Sequence, residues 1–402
     1  MSLGMAIAAE KRTKIRLMNK QKFNLTNVLT VSLAHLFHDV YSSFLAPILP
    51  LLISKLGISV FQAGFLDIIR QIPSLVNPLL GLIADKVSVR YLIIIAPAIT
   101  AVSMSLLGIA SHYTIIAILI FMAGIGAMLF HVPAPVMIKQ VSGDRIGKGM
   151  SFYMLGGELA RTLGPLIILA AISLWGLEGT WRLAPFGVIA SIILFFRLRK
   201  IVVIKPSKAE NAVGIKSTLH TMKPFFITIA GIIFFRAGLK AALTIYLPTY
   251  LTMKGSSIWI AGASLAILQL AGAGGTFLAG SISDKIGRKN TLLIIAIANP
   301  LCMWLFTHIH GWLTIPVLIL NGFFLFGSGP VMLAMVHDHN SEHMSLINGI
   351  YMTISFILSS IMIMCVGFLT DKIGLDNTYS IITFLALGTI PFVFILKKKK
   401  RS

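Results

Sequence analysis

GSISDKIGRK (residues 280–289) has a counterpart in GLIADKVSVR (residues 81–90). Laid one on the other, Gly280 falls on Gly81, Asp284 on Asp85, Lys285 on Lys86 and Lys289 on Arg90. Gly287 and Arg288 fall on Ser88 and Val89, so the first copy is the less regular. A second pair, PILPLLISKLGISVFQAG (47–64) and TIYLPTYLTMKGSSIWIAG (244–262), precedes them in the same order. Self-similarity across half a chain marks a duplicated structural unit. The loop itself has physical content. A glycine one turn before the acid lets a neighbouring helix come close. Asp85 or Asp284 can pair with basic side chains and with the N-terminal end of a neighbouring helix. A contact of that kind is made in one conformation and broken in another. Gly81, Asp85, Lys86, Arg90, Gly280, Asp284, Lys285, Gly287 and Arg288 are therefore the expected gating residues.

Outward from these loops the chain is apolar. Of its 402 residues 56% are hydrophobic and 12% charged, and the mean hydropathy is +0.90. Soluble domains carry roughly 25% charged residues. The apolar residues fall into twelve runs, at 27–55, 60–84, 91–110, 114–138, 148–175, 182–198, 223–253, 258–282, 291–308, 312–336, 344–370 and 377–396. A membrane-crossing helix needs about 20 such residues. Barrel strands alternate over roughly 10, so continuous runs of this length predict helices. The expected fold is an all-α membrane protein with twelve transmembrane helices in two pseudo-symmetric six-helix bundles. The boundaries read as a cytoplasmic segment 1–26, a first bundle 27–198, a linker 199–222, a second bundle 223–396 and a basic tail 397–402. The first 26 residues show no cleavable leader pattern.

A net charge of +21 would suit a nucleic-acid binder, but its placement says otherwise. With the N-terminus inside, the only Lys and Arg on the outer side are Lys55, Arg182, Lys254 and Lys372. This asymmetry places both termini in the cytoplasm. The tail KKKKRS then lies beside anionic lipid. The expected partners are a small-molecule substrate, protons and the lipid bilayer, with no nucleic acid, and the expected state is a monomer in the cell inner membrane. Cys302 and Cys365 both sit in apolar runs and read as buried thiols. MVHDHNSEHM (335–344) is rich in His and acid, and reads as a loop rather than a metal site; no metal is expected.

Ionisable residues inside the spans are costly, hence functional by default. They occur at helical spacing. His35 and Asp39 are i,i+4 in the first span, with His38 on a neighbouring face. Asp67–Arg70 and Glu158–Arg161 are i,i+3 pairs, and Arg236–Lys240 is an i,i+4 pair of like charges. Four cations against Asp39, Asp67 and Glu158 leave one positive charge in excess, which favours an anionic substrate. Asp39 is the expected proton carrier, with Glu158 as a second and His35 and His38 as relays. Arg161, Arg236, Lys240, His131 and Tyr246 are the expected substrate-binding residues. No phosphate-binding G-x-x-x-x-G-K-[ST] loop occurs. The expectation is therefore no cofactor, no enzymatic activity and a proton gradient as the driving force.

The loop motif at 280–289, its partial copy at 81–90 and a related GFLTDKIG at 367–374 resemble the major facilitator superfamily. That resemblance implies two six-helix bundles and alternating access. SLAHLFHDVYSSFLAPILPLL, GIGAMLFHVPAPVMIKQVSGDRIGKGMS and LGGELARTLGPL resemble the fosmidomycin-resistance branch within it. The branch implies proton-driven export of a phosphonate antibiotic and related drugs. By position, its helix-1 acid falls on Asp39, its Phe-His-Pro element on Phe130, His131 and Pro133, and its Gly-Pro on Gly164 and Pro165. The expected function is secondary transport: proton-coupled export of a small anionic drug or metabolite. An importer working by symport or anion exchange, or a non-transporting receptor on the same scaffold, are the alternatives.

Overall fold

The computed structural model describes residues 23–77, 89–143, 145–199, 215–309, 311–338 and 344–396. Among them every regular element is helical, and no strand occurs. Sixteen α-helices carry the chain: α1 Leu25–Ser42, α2 Leu45–Leu56, α3 Val60–Gln71, α4 Val89–Ser105, α5 Tyr113–His131, α6 Ala134–Val141, α7 Ile146–Trp175, α8 Ala184–Leu198, α9 Ile215–Thr244, α10 Leu247–Met253, α11 Ile258–Ile286, α12 Arg288–His308, α13 Thr314–His337, α14 Met344–Ile373, α15 Leu375–Ala386 and α16 Thr389–Ile395.

Several of these are halves of one span. The first span breaks between Ser42 and Leu45, just ahead of Pro47 and Pro50. The seventh breaks between Thr244 and Leu247, just ahead of Pro248. The fourth breaks at Val132–Pro133. Proline supplies no N–H and restricts the residue before it, so each break falls where the ladder loses a donor. Eleven helical stretches of the described residues are long and apolar enough to cross a membrane. The second expected span is described only over 60–77, and the rest of it, with Gly81, Asp85 and Lys86, lies outside the described residues. Most of the 199–222 linker lies outside them too. The surface is what lipid requires. Phe277, Trp312, Leu174 and Phe384 are each more than three-fifths exposed, an arrangement that water would penalise.

The chain forms two compact units. One comprises Met1–Phe44 with Ile69–Lys208, the other Leu45–Ile68 with Ala209–Ser402. The duplicated sequence halves and the compact units therefore differ over 45–68. The core of the first unit gathers Val28, Val31 and Ala34 of α1 with Ile93, Phe130, Met137, Tyr153 and Leu198. Glycines on α7 let α1 approach. A Cβ at Gly156 would stand 2.4 Å from the Ser32 carbonyl oxygen, and one at Gly164 would stand 2.7 Å from that of Val40. This is close packing by small residues.

In the second unit, Ile229, Ile232 and Ile233 of α9 pack with Leu292, Val331, Met332 and Val393. The 45–68 segment is held there by its backbone. The Asp371 carboxylate accepts the N–H groups of Val60 and Phe61, each at 2.9 Å. Those are donors that the first turn of α3 leaves without intrahelical partners. Gly64 and Gly367 admit the Tyr246 hydroxyl and the Phe61 backbone at distances a Cβ would forbid. Cys302 is buried as expected. Cys365 is exposed, which corrects the sequence reading; an outward side chain on a spanning helix meets lipid, and a thiol suits that environment.

Candidate functional site

α1 carries a buried polar cluster in the first unit. Asp39 is 5% exposed, His35 5% and His38 0%. Spacing of i,i+4 puts His35 one turn before Asp39, and its Nε2 lies 3.2 Å from Asp39 Oδ2. His38 Nδ1 lies 2.8 Å from Asp39 Oδ1. His131, at the C-terminal end of α5, brings its Nε2 to 3.1 Å from the same oxygen, with its side chain 42% exposed. Three imidazoles thus surround one carboxylate.

The rings are held by packing. His35 stacks on Tyr153 (4.0 Å between centroids, 16°) and on Phe130 (5.6 Å, 24°). His38 stacks on the same Phe130 (4.7 Å, 11°). His131 stands edge-on to both histidines. Gly157 makes room for the His35 ring, since a Cβ there would stand 2.6 Å from its Cε1.

Outer partners settle where hydrogens sit. His38 Nε2 is 3.0 Å from Thr100 Oγ1. A Thr100 hydroxyl donating to Nε2 leaves Nδ1–H to donate to Asp39, so a neutral His38 is satisfied at both nitrogens. His35 differs. Its Nδ1 is 2.7 Å from the Tyr153 carbonyl oxygen, which can only accept, so Nδ1 carries a hydrogen. In the neutral ring Nε2 would then be a bare lone pair facing a carboxylate oxygen. Two acceptors at 3.2 Å need a proton between them. The cluster thus sets an imidazole nitrogen and a carboxylate oxygen face to face, with the half-exposed His131 beside them. One ligand atom each from His35, Asp39 and His131 lie within 4.8 Å of one another, close enough to share a single cation.

The other expected residues are dispersed. Glu158 and Arg161 form the predicted i,i+3 ion pair on α7, the arginine side chain 36% exposed and the glutamate 13%. Asp67 is buried on α3. The backbone carbonyl of Arg70 packs against Gly124 of α5. On α9 the like-charged pair points two ways. Lys240 is exposed, whereas Arg236 donates from Nη1 to the Leu325 carbonyl at 3.0 Å and to Ser328 Oγ at 2.5 Å. Tyr246 is fully buried, its hydroxyl donating to the Ile363 carbonyl at 2.9 Å.

The repeated loop motif is clearest in its second copy. Gly287 forms the turn between α11 and α12 with φ +91° and ψ 148°, a conformation open in practice to glycine alone. Gly374, at the same place in the third copy, has φ +80° and ψ 167°. Arg288 binds Asp284 Oδ1 at 2.5 Å, Ser283 Oγ at 2.5 Å and Asp338 Oδ2 at 3.4 Å. Asp338 lies in the His-rich stretch of which residues 339–343 lie outside the described set. Lys285 is exposed, and Arg90 lies over the Tyr91 ring at 5.1 Å. One expectation needs correcting. Among the described residues nothing stands within 4 Å of a Cβ on Gly280, so none of the described helices uses that glycine for close approach. The expected pairing of a motif acid with a neighbouring helix N-terminus is made by Asp371, while Asp284 pairs with Arg288.

Thr100, Tyr153, Gly157 and Asp371 are not singled out from sequence, whereas Asp338 belongs to the His- and acid-rich stretch 335–344. Only Asp371 had a local signal, its place in the DKIG repeat.

Known proteins agree with this architecture. A "Fosmidomycin resistance protein" of Escherichia coli (strain K12) is 25% identical over 385 residues, covering 91% of this chain and 91% of its own. An uncharacterized MFS-type transporter of Bacillus subtilis (strain 168) is 24% identical over 390 residues, covering 93% of this chain and 94% of its own. Among solved structures, the inward open conformation of the E. coli xylose transporter superposes with a TM-score of 0.74 at 14% identity. That pairing covers 94% of this chain and 97% of the other, and speaks to the fold. Residues 31–362 match the family described as the Major Facilitator Superfamily. With its apolar helices, its duplicated loop motif and these relatives together, the chain is a multi-pass membrane protein that belongs to the Major Facilitator Superfamily.

Proposed function

We propose that the protein is a proton-coupled exporter of a small anionic compound, working by alternating access in a cell inner membrane with both termini in the cytoplasm. The observation that carries this reading is the buried Asp39 ringed by His35, His38 and His131. A carboxylate kept from water costs several kcal/mol unless its charge is matched. A proton shared with His35 matches it in one state, and a second state that frees the carboxylate would release the proton. Glu158 is a second carrier, in contact with Arg161. Arg161, Lys240 and His131 have the exposure to meet a substrate's charge; Tyr246 is enclosed in this conformation. The Arg288 cluster with Asp284 and Asp338 serves as one gate.

The substrate class rests on the excess of cations inside the spans and on the resemblance to the fosmidomycin-resistance protein. Fosmidomycin, a phosphonate, is the first compound to try. The test is tolerance of a drug-sensitised bacterium expressing wild type or Asp39→Asn at matched membrane levels. Tolerance gained with the wild type and lost with the variant supports export through Asp39. No gain with well-expressed wild type sinks the drug, and moves the assignment to a metabolite anion.

A further inference from the structure

Proton exchange is not the only chemistry open to the cluster around Asp39. His35 Nε2 lies 3.2 Å from Asp39 Oδ2, and His131 Nε2 lies 3.1 Å from Oδ1. Two imidazole nitrogens thus flank the two oxygens of one carboxylate. Neighbouring donors on a zinc ion bound at about 2.0–2.1 Å stand about 3.3 Å apart, close to both observed separations. One donor atom each from His35, Asp39 and His131 lies within 4.8 Å of the other two. His131 is the part with room to move: its side chain is 42% exposed, against 6% for His35 and 7% for Asp39. A modest turn of that ring closes the set.

The groups behind these donors are those that a metal site needs. A ligating histidine donates its other ring N–H to a carbonyl or carboxylate, which fixes the tautomer and aims the bare nitrogen at the ion. His35 does this. Its Nδ1 meets the Tyr153 carbonyl oxygen at 2.7 Å, which leaves Nε2 as the lone pair facing Asp39. The carboxylate is supported in turn. His38 Nδ1 donates to Asp39 Oδ1 at 2.8 Å, and Thr100 Oγ1 holds the far nitrogen of His38 at 3.0 Å. An ionised carboxylate has about four acceptor positions, so Oδ1 keeps one for an ion after His38 is served. The donor chemistry selects the ion. Imidazole nitrogen with carboxylate oxygen suits zinc and its transition-metal neighbours, whereas magnesium and calcium take oxygen donors. The exposed face of His131 gives such an ion a way in. The sequence alone predicts no metal, because nothing in it brings His131 of α5 against the His35–Asp39 pair of α1.

We propose that His35, Asp39 and His131 form a binding site for one divalent transition-metal ion, zinc being the type case, with His38 and the Tyr153 carbonyl as its outer supports. The site goes beyond the transport reading and is detected by binding alone. One consequence does rest on that reading: an ion on Asp39 holds the carboxylate that proton exchange uses, so pH-driven flux should stop while the ion is bound.

The test uses the full chain, purified in detergent without a histidine tag and freed of metal on a chelating resin. Zinc chloride is titrated in near neutral pH and followed by calorimetry, with magnesium chloride as the comparison. One zinc site per chain is expected, and no magnesium binding. His131→Ala removes a half-exposed ring, so the fold should survive it, and should weaken zinc at least about tenfold. Asp39→Asn should weaken it further. His339→Gln combined with His343→Gln, in the stretch 335–344, should leave the affinity of this site unchanged. Equal zinc binding in wild type and His131→Ala overturns the proposal. So does zinc binding that disappears with the 339/343 pair, magnesium bound as tightly as zinc, or no zinc binding at all. Zinc held through His131 in a protein that confers no drug tolerance supports the site and leaves only the transport reading to revise.

Discussion

His35 Nδ1–H donates to the backbone carbonyl of Tyr153 across 2.7 Å, and this single bond dictates which nitrogen of the ring faces Asp39. The carbonyl belongs to α7 and the ring to α1, so helix packing sets the tautomer. Amide substitutions separate the two nitrogens. Asparagine places its NH2 near the Nδ1 position and keeps the Tyr153 bond only. Glutamine reaches the Nε2 position and keeps the Asp39 contact only. His35→Gln should retain measurable proton-driven flux with a displaced pH profile, and His35→Asn should lose it. Flux measured in proteoliposomes against imposed pH would show this; equal flux and profile in the two variants would refute the role of the His35 Nε2–Asp39 contact.

Asp39→Asn keeps the size of the side chain and removes the charge. Flux driven by a pH gradient should fall about 100-fold, the scale of a lost proton-transfer group. Substrate exchange at equal pH on both sides should survive, because no net proton movement is needed. Loss of both activities together would place Asp39 in binding or folding and not in coupling.

Gly157→Ala tests the His35 pocket without touching a polar group. The added methyl would stand 2.6 Å from the ring's Cε1. Either the ring or α7 must shift, at about 1–3 kcal/mol. A lower Tm and a weakened pH-driven flux are expected together. Unaltered flux and Tm would mean the ring's place is not constrained by α7.

At the α11–α12 turn, Arg288 ties Asp284 to Asp338. Asp284 is 67% exposed, so the pair adds only about 0–1 kcal/mol to stability. Arg288→Gln should therefore leave Tm nearly unchanged while changing the transport rate, as expected of a contact that biases one conformation. A large fall in Tm would identify the cluster as structural.

Asp371 accepts two backbone N–H groups at the start of α3. Asp371→Ala should cost about 1 kcal/mol, and Asp371→Asn less, since one oxygen remains to accept. Thermal unfolding would rank the two; the reverse order would remove the capping role.

Much of the fold could be read from one dimension. Apolar runs of spanning length and a repeated DK-x-G loop need no neighbours to be recognised. The His35–Asp39 pair is also local, because helical spacing puts both on one face. His131 is legible as a histidine inside a span, but nothing in the sequence brings α5 beside α1. Thr100, the Tyr153 carbonyl and Gly157 matter only once α1, α4 and α7 are packed, and backbone groups carry no sequence signal. Asp371 shows the limit most clearly: its partner Phe61 is 310 residues away, and the bond is to an N–H that every residue type except proline shares.

The path of the chain between compact units has a consequence for how the protein assembles. Residues 45–68 are encoded in the first half yet pack with Ala209–Ser402. Cut within 199–222, the chain would yield an N-terminal fragment bearing a helical hairpin whose packing partners lie on the other piece. The two pieces, made separately in one cell, should find each other by that hairpin and co-purify. During synthesis the same segment must wait, unpaired, until the second unit has emerged, so completing the native structure is coupled to finishing the polypeptide.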